Sequence, residues 1–384
     1  MVDRRDRDRD HRGRYLLLRV DCARRRVLLA SRVRGTHDVR LPRDDRQRRG
    51  GLRAPVVHRL VVRVLTVTAA SAPVVDVRRV ACGTAYTRVS SIRAEGERSF
   101  VLVAGIGVAA TYFERLAPQL NEFGAVHALD LPGFGGVPHP ESAMSIAQYA
   151  DAVEAVLDEL ALVDPVLVGH SMGTQIVSEV ARRRPEISTL VLIGPVVDPE
   201  ARRLPRLALR FLRSTWHEPL KIKVLAVGAY LLCGPRWFLR VLPEMMRFPI
   251  EELFADIRAH TLVIRGEHDD VVPRAWVERV AREIPFASTW EIGGAAHSVM
   301  HGHAEGVARL CVAFARTPRD TDGELNLMPD EEAETPEPRA ASVSAAFRAF
   351  AARFVEFVGV VRRDDREVAR GKTSHARIMK EQQD

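Results

Sequence analysis

From about residue 77 onward, short apolar runs alternate with segments whose apolar positions recur at helical spacing. Ser99 to Gly105, Ala125 to Pro132, Pro165 to Ser171, Leu190 to Val196, Thr261 to Gly266 and Ser288 to Gly294 are each almost wholly apolar over six to eight residues, the pattern of strands buried on both faces. Val77 to Ala94 predicts one or two further strands ahead of them. Between these runs the spacing predicts helices over Tyr112 to Phe123, over Ile146 to Leu162, and from Ser171 to near Arg184. Strand and helix in turn imply an α/β fold, with a mostly parallel sheet flanked by helices on both faces. The segment from Asp198 to Ala259 has no strand pattern and is rich in Arg, Leu and aromatic residues, so it reads as an insertion of a few amphipathic helices.

The two ends have a different texture. Residues 1–60 hold 19 Arg and 8 Asp with no Lys or Glu, so this stretch alone carries +11 while the whole chain carries +7. The rest of the chain is therefore net acidic, and the folded part offers no basic surface for nucleic acid. Lacking any sustained period, residues 1–70 read as an Arg-rich disordered leader, either the translation of a start codon placed too early or a basic arm that binds nucleic acid or membrane. The folded domain is expected over residues 71–317, with its insertion at 198–259. Residues 318–342, with eight acids between Pro318 and Pro338, read as an acidic linker. Residues 343–384 read as an amphipathic helical tail in which Phe347, Phe350, Phe354, Phe357 and Val361 form one stripe, suited to self-association or to docking on a partner helix.

The longest apolar run, Val224 to Cys233, is about half of the ~20 residues that cross a bilayer. Cys22, Cys82, Cys233 and Cys311 are far apart and form no C-x-x-C pair, which points to neither a disulfide framework nor a zinc site and suits a cytoplasmic protein. No phosphate-loop or dinucleotide fingerprint and no metal-ligand spacing occurs, so the expected chemistry needs no cofactor.

The sharpest chemical signal is Gly169-His170-Ser171-Met172-Gly173, which closes an apolar run and opens a helix. A G-x-S-x-G at a strand-to-helix turn exposes its serine hydroxyl above the sheet, beside a free N–H at the helix start. The competing reading is a serine that merely caps the helix. His170 is expected to be structural. Later in the chain, Gly266-Glu267-His268-Asp269 follows the fifth apolar run and Gly293-Gly294-Ala295-Ala296-His297 follows the sixth.

In this motif order the stretch from Val77 to Arg316 resembles the α/β-hydrolase superfamily. The resemblance implies Ser171 as nucleophile, His297 as base and Asp269 as the acid that orients it, with Asp270 and Asp198 as alternative acids. It also implies an oxyanion hole formed by the backbone N–H groups of Met172 and Ile106, although Ala104 stands where relatives carry the histidine of a His-Gly pair. Leu131-Pro132-Gly133-Phe134-Gly135 with Asp130 at its head is similar to a structural turn of the family, and the insertion is similar to its helical cap. His301 and His303 are expected on the surface. The end of the tail faintly resembles CsbD-like proteins, through Asp364-Asp365-Arg366 and Gly371-Lys372.

The implied activity is a cofactor-independent serine hydrolase that cleaves a carboxylic ester or thioester of an apolar small molecule through an acyl-enzyme. Serine in place of aspartate at the elbow argues against the dehalogenase and epoxide hydrolase branches. Carbon–carbon bond hydrolysis or perhydrolase chemistry on the same residues is the nearest alternative, and a catalytically weak binding or signalling module is the alternative from another class.

Overall fold

The computed structural model describes residues 74–96, 98–318, 325–335 and 343–383. The reading of residues 1–70 lies outside the described residues.

Val75–Cys82 (β1) and Ala85–Ile92 (β2) form a tight antiparallel hairpin turned at Gly83, whose φ of +58° suits the missing side chain. The expected apolar runs then become Phe100–Val103 (β3), Val126–Asp130 (β4), Val166–His170 (β5), Thr189–Ile193 (β6), His260–Gly266 (β7) and Ala287–Ile292 (β8). With Leu325–Met328 (β9) they make one mixed sheet in the order β1-β2-β4-β3-β5-β6-β7-β8-β9, antiparallel at β1, β2 and β4 and parallel from β4 onward.

Alternation along the strands separates two apolar layers. On β3, Val101 and Val103 face one layer and Phe100 and Leu102 the other. The first layer is closed by Ile146–Glu159 and Met172–Arg183, and by Trp276, Val277 and Val280 of Arg274–Glu283. The second is closed by Leu116–Asn121 and Ala304–Arg316. We label the helices α1 (Leu116–Asn121), α2 (Ile146–Glu159), α3 (Met172–Arg183), α4 (Leu204–His217), α5 (Leu220–Cys233), α6 (Pro235–Arg247), α7 (Arg274–Glu283), α8 (Ala304–Arg316), α9 (Val343–Arg362) and α10 (Asp365–Gln383). The start of α2 is fixed by a reciprocal cap, in which Ser145 accepts the N–H of Gln148 and donates its own N–H to the Gln148 side chain. The insertion forms α4, α5 and α6.

Two expectations need correction. The stretch read as an acidic linker contains β9, which extends the parallel sheet beyond β8, and a helical turn, Asp330–Ala333, packed against Gly306. A four-residue strand in an acidic context carries almost no pattern, yet β8 offers it an unpaired edge. His301 and His303 are buried rather than exposed: His301 lies 3.3 Å from Glu114, and His303 pairs with Asp330 at 2.7 Å, so the acidic segment itself covers the helix start.

The tail is a hairpin of α9 and α10 laid on β1. Val75 donates its N–H to Thr373 Oγ1, Lys372 donates to Ser90 Oγ, and Arg353 pairs with Glu114. Its contact face includes Ala352, Glu356, Val368 and Ile378, while the Phe347-to-Val361 stripe faces solvent.

Candidate active site

Ser171 stands between β5 and α3 with φ +53° and ψ −121°, a conformation that an L-residue adopts only when its surroundings impose it. The surroundings are backbone and glycine. Ser171 N–H donates to Ile193 O on the neighbouring strand, and Thr174 donates to Ser171 O from both its amide and its hydroxyl. A Cβ on Gly169 would lie 2.5 Å from Gly173 O, so strand and helix close on one another only because neither residue has a side chain. The Ser171 side chain makes no capping bond to α3, which removes the helix-cap reading. Met172 is the first residue of the helix and fully buried, so its N–H belongs to the unpaired donors of the helix start.

The loop after β3 runs alongside. A Cβ on Gly105 would lie 3.0 Å from Ser171 Cβ and 3.4 Å from its hydroxyl oxygen, which brings the backbone around Ile106 to the same place. The loop is held from behind by Asp130, the head of the turn after β4. Its Oδ1 accepts the N–H of Ala110 at 2.6 Å, and its Oδ2 accepts two bonds from Arg88 on β2. Burial pushes the Asp130 carboxyl up, but Lys372, Arg88 and the Ala110 N–H outweigh it and hold the group below its ordinary value. Arg88 also donates to Gly135 O, which ties the glycine turn to the sheet.

The loops after β7 and β8 bring Asp269 and His297 together, against His170, the residue before the serine. Nδ1 of His297 lies 2.7 Å from Asp269 Oδ2, while Asp269 Oδ1 accepts the N–H groups of Val271 and Val272. With its Nδ1 proton committed to the carboxylate, the neutral ring keeps Nε2 as a proton acceptor. Burial lowers the His297 pKa, yet the carboxylates of Asp269 and Glu218 prevail and hold it above the ordinary histidine value. Arg265 steadies the acid loop by donating to Glu267 O, Asp269 O and Val272 O while paired with Glu291. Asp270 instead faces Arg213 at 3.5 Å, and Asp198 is bound to Arg210 and caps the turn at Pro199–Ala201, so neither alternative acid meets His297.

Three further residues border the pair, of which Tyr112 and Glu218 were given no role in the sequence reading. His170 is a support, as expected, but its ring points to His297: its Nε2 donates to His297 O at 3.1 Å and the two rings are 4.9 Å apart. Burial and the nearby His297 ring drive its pKa well below normal, so it stays neutral. Tyr112 shares a 2.7 Å hydrogen bond with Ser298, and its ring lies 5.7 Å from that of His170. Glu218, at the corner between α4 and α5, accepts the N–H of Ser298. From the same insertion, Tyr230 and Phe238 meet edge to face above Gly107, so an aromatic wall overhangs the loop beside Ser171.

Comparison with known proteins places this arrangement. A model of the alpha/beta hydrolase family matches residues 100–310. The chain is 28% identical over 213 residues to 2-hydroxymuconate semialdehyde hydrolase of Pseudomonas putida, covering 49% of this chain and 76% of that protein. It is 24% identical over 247 residues to pimeloyl-[acyl-carrier protein] methyl ester esterase of Xanthomonas campestris pv. campestris, covering 54% and 89%. Of two other curated relatives it spans only 34% and 36% of the length. Among solved structures, a serine hydrolase of Cycloclasticus zankles superposes over 64% of this chain and all of that one, with a TM-score of 0.54 at 19% identity. The family match spans more than half of the chain and includes β3 to β8 with Gly105, Ser171, Asp269 and His297: the chain belongs to the alpha/beta hydrolase family.

Proposed function

We propose that this chain is a serine hydrolase that cleaves a carboxylic ester or thioester of an apolar small molecule. In this reading Ser171 attacks the acyl carbon while His297 Nε2 takes its proton, and Asp269 fixes the ring and stabilises its charged form. The N–H groups of Met172 and Ile106 receive the oxyanion, each worth about 3 kcal/mol of barrier. The leaving alcohol or thiol takes the proton back from His297, and a water activated by the same ring releases the acid.

The observation that carries the reading is the buried 2.7 Å pair of His297 and Asp269, set against His170, the neighbour of a serine whose strained backbone serves no helix cap. The Tyr230–Phe238 wall favours an apolar acyl or aromatic group over a sugar or a charged metabolite. A second reading, carbon–carbon hydrolysis of a ring-fission diketone, is favoured by the 28% likeness to 2-hydroxymuconate semialdehyde hydrolase and uses the same residues.

A panel of acyl esters of increasing chain length, acyl thioesters and a ring-fission diketone separates the two. Turnover of esters or thioesters, lost in Ser171→Ala and weakened through KM in Phe238→Ala, supports the first. Cleavage of the diketone alone by folded protein overturns it in favour of the second.

A further inference from the structure

Helix α5 breaks the rule for a surface helix. From Val224 to Cys233 it is apolar on all sides, a composition that normally buries a helix on every face. One side is buried: Ile222, Ala229 and Cys233 face the domain, and Tyr230 covers Gly107. The other side, Leu220, Val224, Val227 and Leu231 at intervals of 4, 3 and 4, lies in water, with Leu220 and Leu231 76% and 73% exposed. On α4, Leu204, Leu209, Leu212 and Trp216 are exposed as well, Trp216 to 83%. Lys223 donates to the backbone carbonyl of Trp216 across the corner, which ties the start of α5 to the end of α4. All eight apolar side chains are more than half exposed, and large apolar groups in water on two consecutive helices mark an interaction surface.

The charge carried by these helices is almost all positive. From Arg202 to Arg240 the chain has nine Arg and Lys and one acid, Glu218, which is turned inward onto Ser298. Arg202, Arg210 and Arg213 pair with Glu251, Asp198 and Asp270, Arg206 donates to Glu200 O, and Arg203, Lys221, Arg236 and Arg240 are exposed side chains of the same insertion. The chain after residue 60 is net acidic as a whole, so this concentration belongs to the cap.

We propose that the outer face of α4, α5 and their shared corner is a docking surface for an anionic lipid bilayer. Apolar side chains with cations around them and a tryptophan at the edge satisfy both requirements of an interfacial helix, insertion of the apolar face and attraction to acidic headgroups. The geometry is that of a helix lying on the membrane. At 14 residues α5 is about 21 Å long against a hydrocarbon core of about 30 Å, and it meets α6 at a bend of 98°. No single helix among the described residues is long and apolar enough to cross a membrane. A second copy of the same face would bring like charges together. The other exposed stripe, on α9, lacks this asymmetry, since Arg362 and Arg363 are followed by Asp364 and Asp365.

The corner has two sides. Outward it carries Trp216 and Leu220, and inward it carries Glu218 on the residue after His297, so the docked surface and the candidate site share one rigid element.

The test is sedimentation of the full chain with phosphatidylcholine vesicles and with mixed phosphatidylcholine–phosphatidylglycerol vesicles, at low and high salt. The expected result is pelleting with the anionic vesicles that falls with salt, and a loss of about tenfold in vesicle affinity in the double variant Trp216→Ser, Val224→Glu. Both positions are exposed, so thermal unfolding and labelling of Ser171 should not change. Ser171→Ala must bind vesicles like the wild type, which keeps this test separate from the hydrolytic reading. Binding that survives the double variant places lipid affinity in another part of the chain, such as the Arg-rich leader, and overturns the proposal. A wild-type dimer that the double variant dissociates overturns it in favour of a second copy, and no binding to either vesicle overturns it outright.

Discussion

Glu218 accepts the backbone N–H of Ser298 at 2.7 Å, which sets a carboxylate of the helical insertion one residue beyond His297. Burial raises the Glu218 pKa, with the Ser298 N–H working against that rise, and its charge in turn raises the pKa of His297. In the proposed mechanism His297 acts as a base only when neutral, so a raised pKa would place the acid limb of kcat/KM above the ordinary histidine value of about 6.5. Glu218→Gln keeps an acceptor for Ser298 but removes the charge. The limb should therefore move to lower pH, with activity at high pH within a few-fold of wild type. An unmoved limb would show that Glu218 does not act on the base.

Asp269→Asn should lower kcat by roughly 10³-fold or more, because the amide still accepts from Val271 and Val272 yet no longer holds the His297 tautomer. Losses in Ser171→Ala, His297→Ala and the double variant should be nearly equal rather than additive. Asp270→Asn should be close to wild type. Asp198→Asn should cost stability through Arg210 and the Pro199 turn, leaving kcat largely intact. Steady-state kinetics beside thermal melts separates these outcomes.

Gly194 has φ +57°, and a Cβ there would lie 3.1 Å from Cε1 and 3.2 Å from Nδ1 of His297, and 3.3 Å from Oδ2 of Asp269. Gly194→Ala should thus cost about 1–2 kcal/mol of backbone strain while crowding the pair. Activity should fall about a hundredfold in a protein that is still folded, a magnitude typical of small misplacements of reacting groups.

How much of this was legible depended on sequence distance. Ser171, Asp269 and His297 each end an apolar strand with a turn motif, so strand, loop and reactive type appear within a few residues of one another. The supports do not: Arg88 reaches Asp130 across 42 residues, Glu218 reaches Ser298 across 80, and Tyr112 reaches Ser298 across 186. No local period marks such partners. β9 was hidden for a different reason, since four residues among acids bury little by themselves and owe their structure to the edge of β8. The exposed side of α5 was legible only in part, because apolar residues on every side predict burial whichever face is covered.

Asp130 links this architecture to stability. Its depressed pKa contributes stability that is present above the ordinary carboxylate value of about 3.9 and is lost as pH falls through the lower folded value. Arg88→Met removes a buried partner and should cost about 3–5 kcal/mol. Ending the chain at Pro318 removes Lys372, β9 and the turn on Gly306, and it uncovers Val75 and Ser90. Both changes should lower Tm, and the truncated chain should also unfold at a higher pH during acid titration. Calorimetry on the three proteins checks this, and equal melting temperatures would mean that the tail contributes no stability.

The central claim is that Ser171 is a nucleophile activated by His297, and covalent labelling tests it most directly. Incubation with a fluorophosphonate, followed by intact mass and peptide mapping, should give one adduct per chain on Ser171. The adduct should be absent in Ser171→Ala and form at least a hundredfold more slowly in His297→Ala. Folded wild-type protein that stays unlabelled, or that is labelled equally fast without His297, would contradict it.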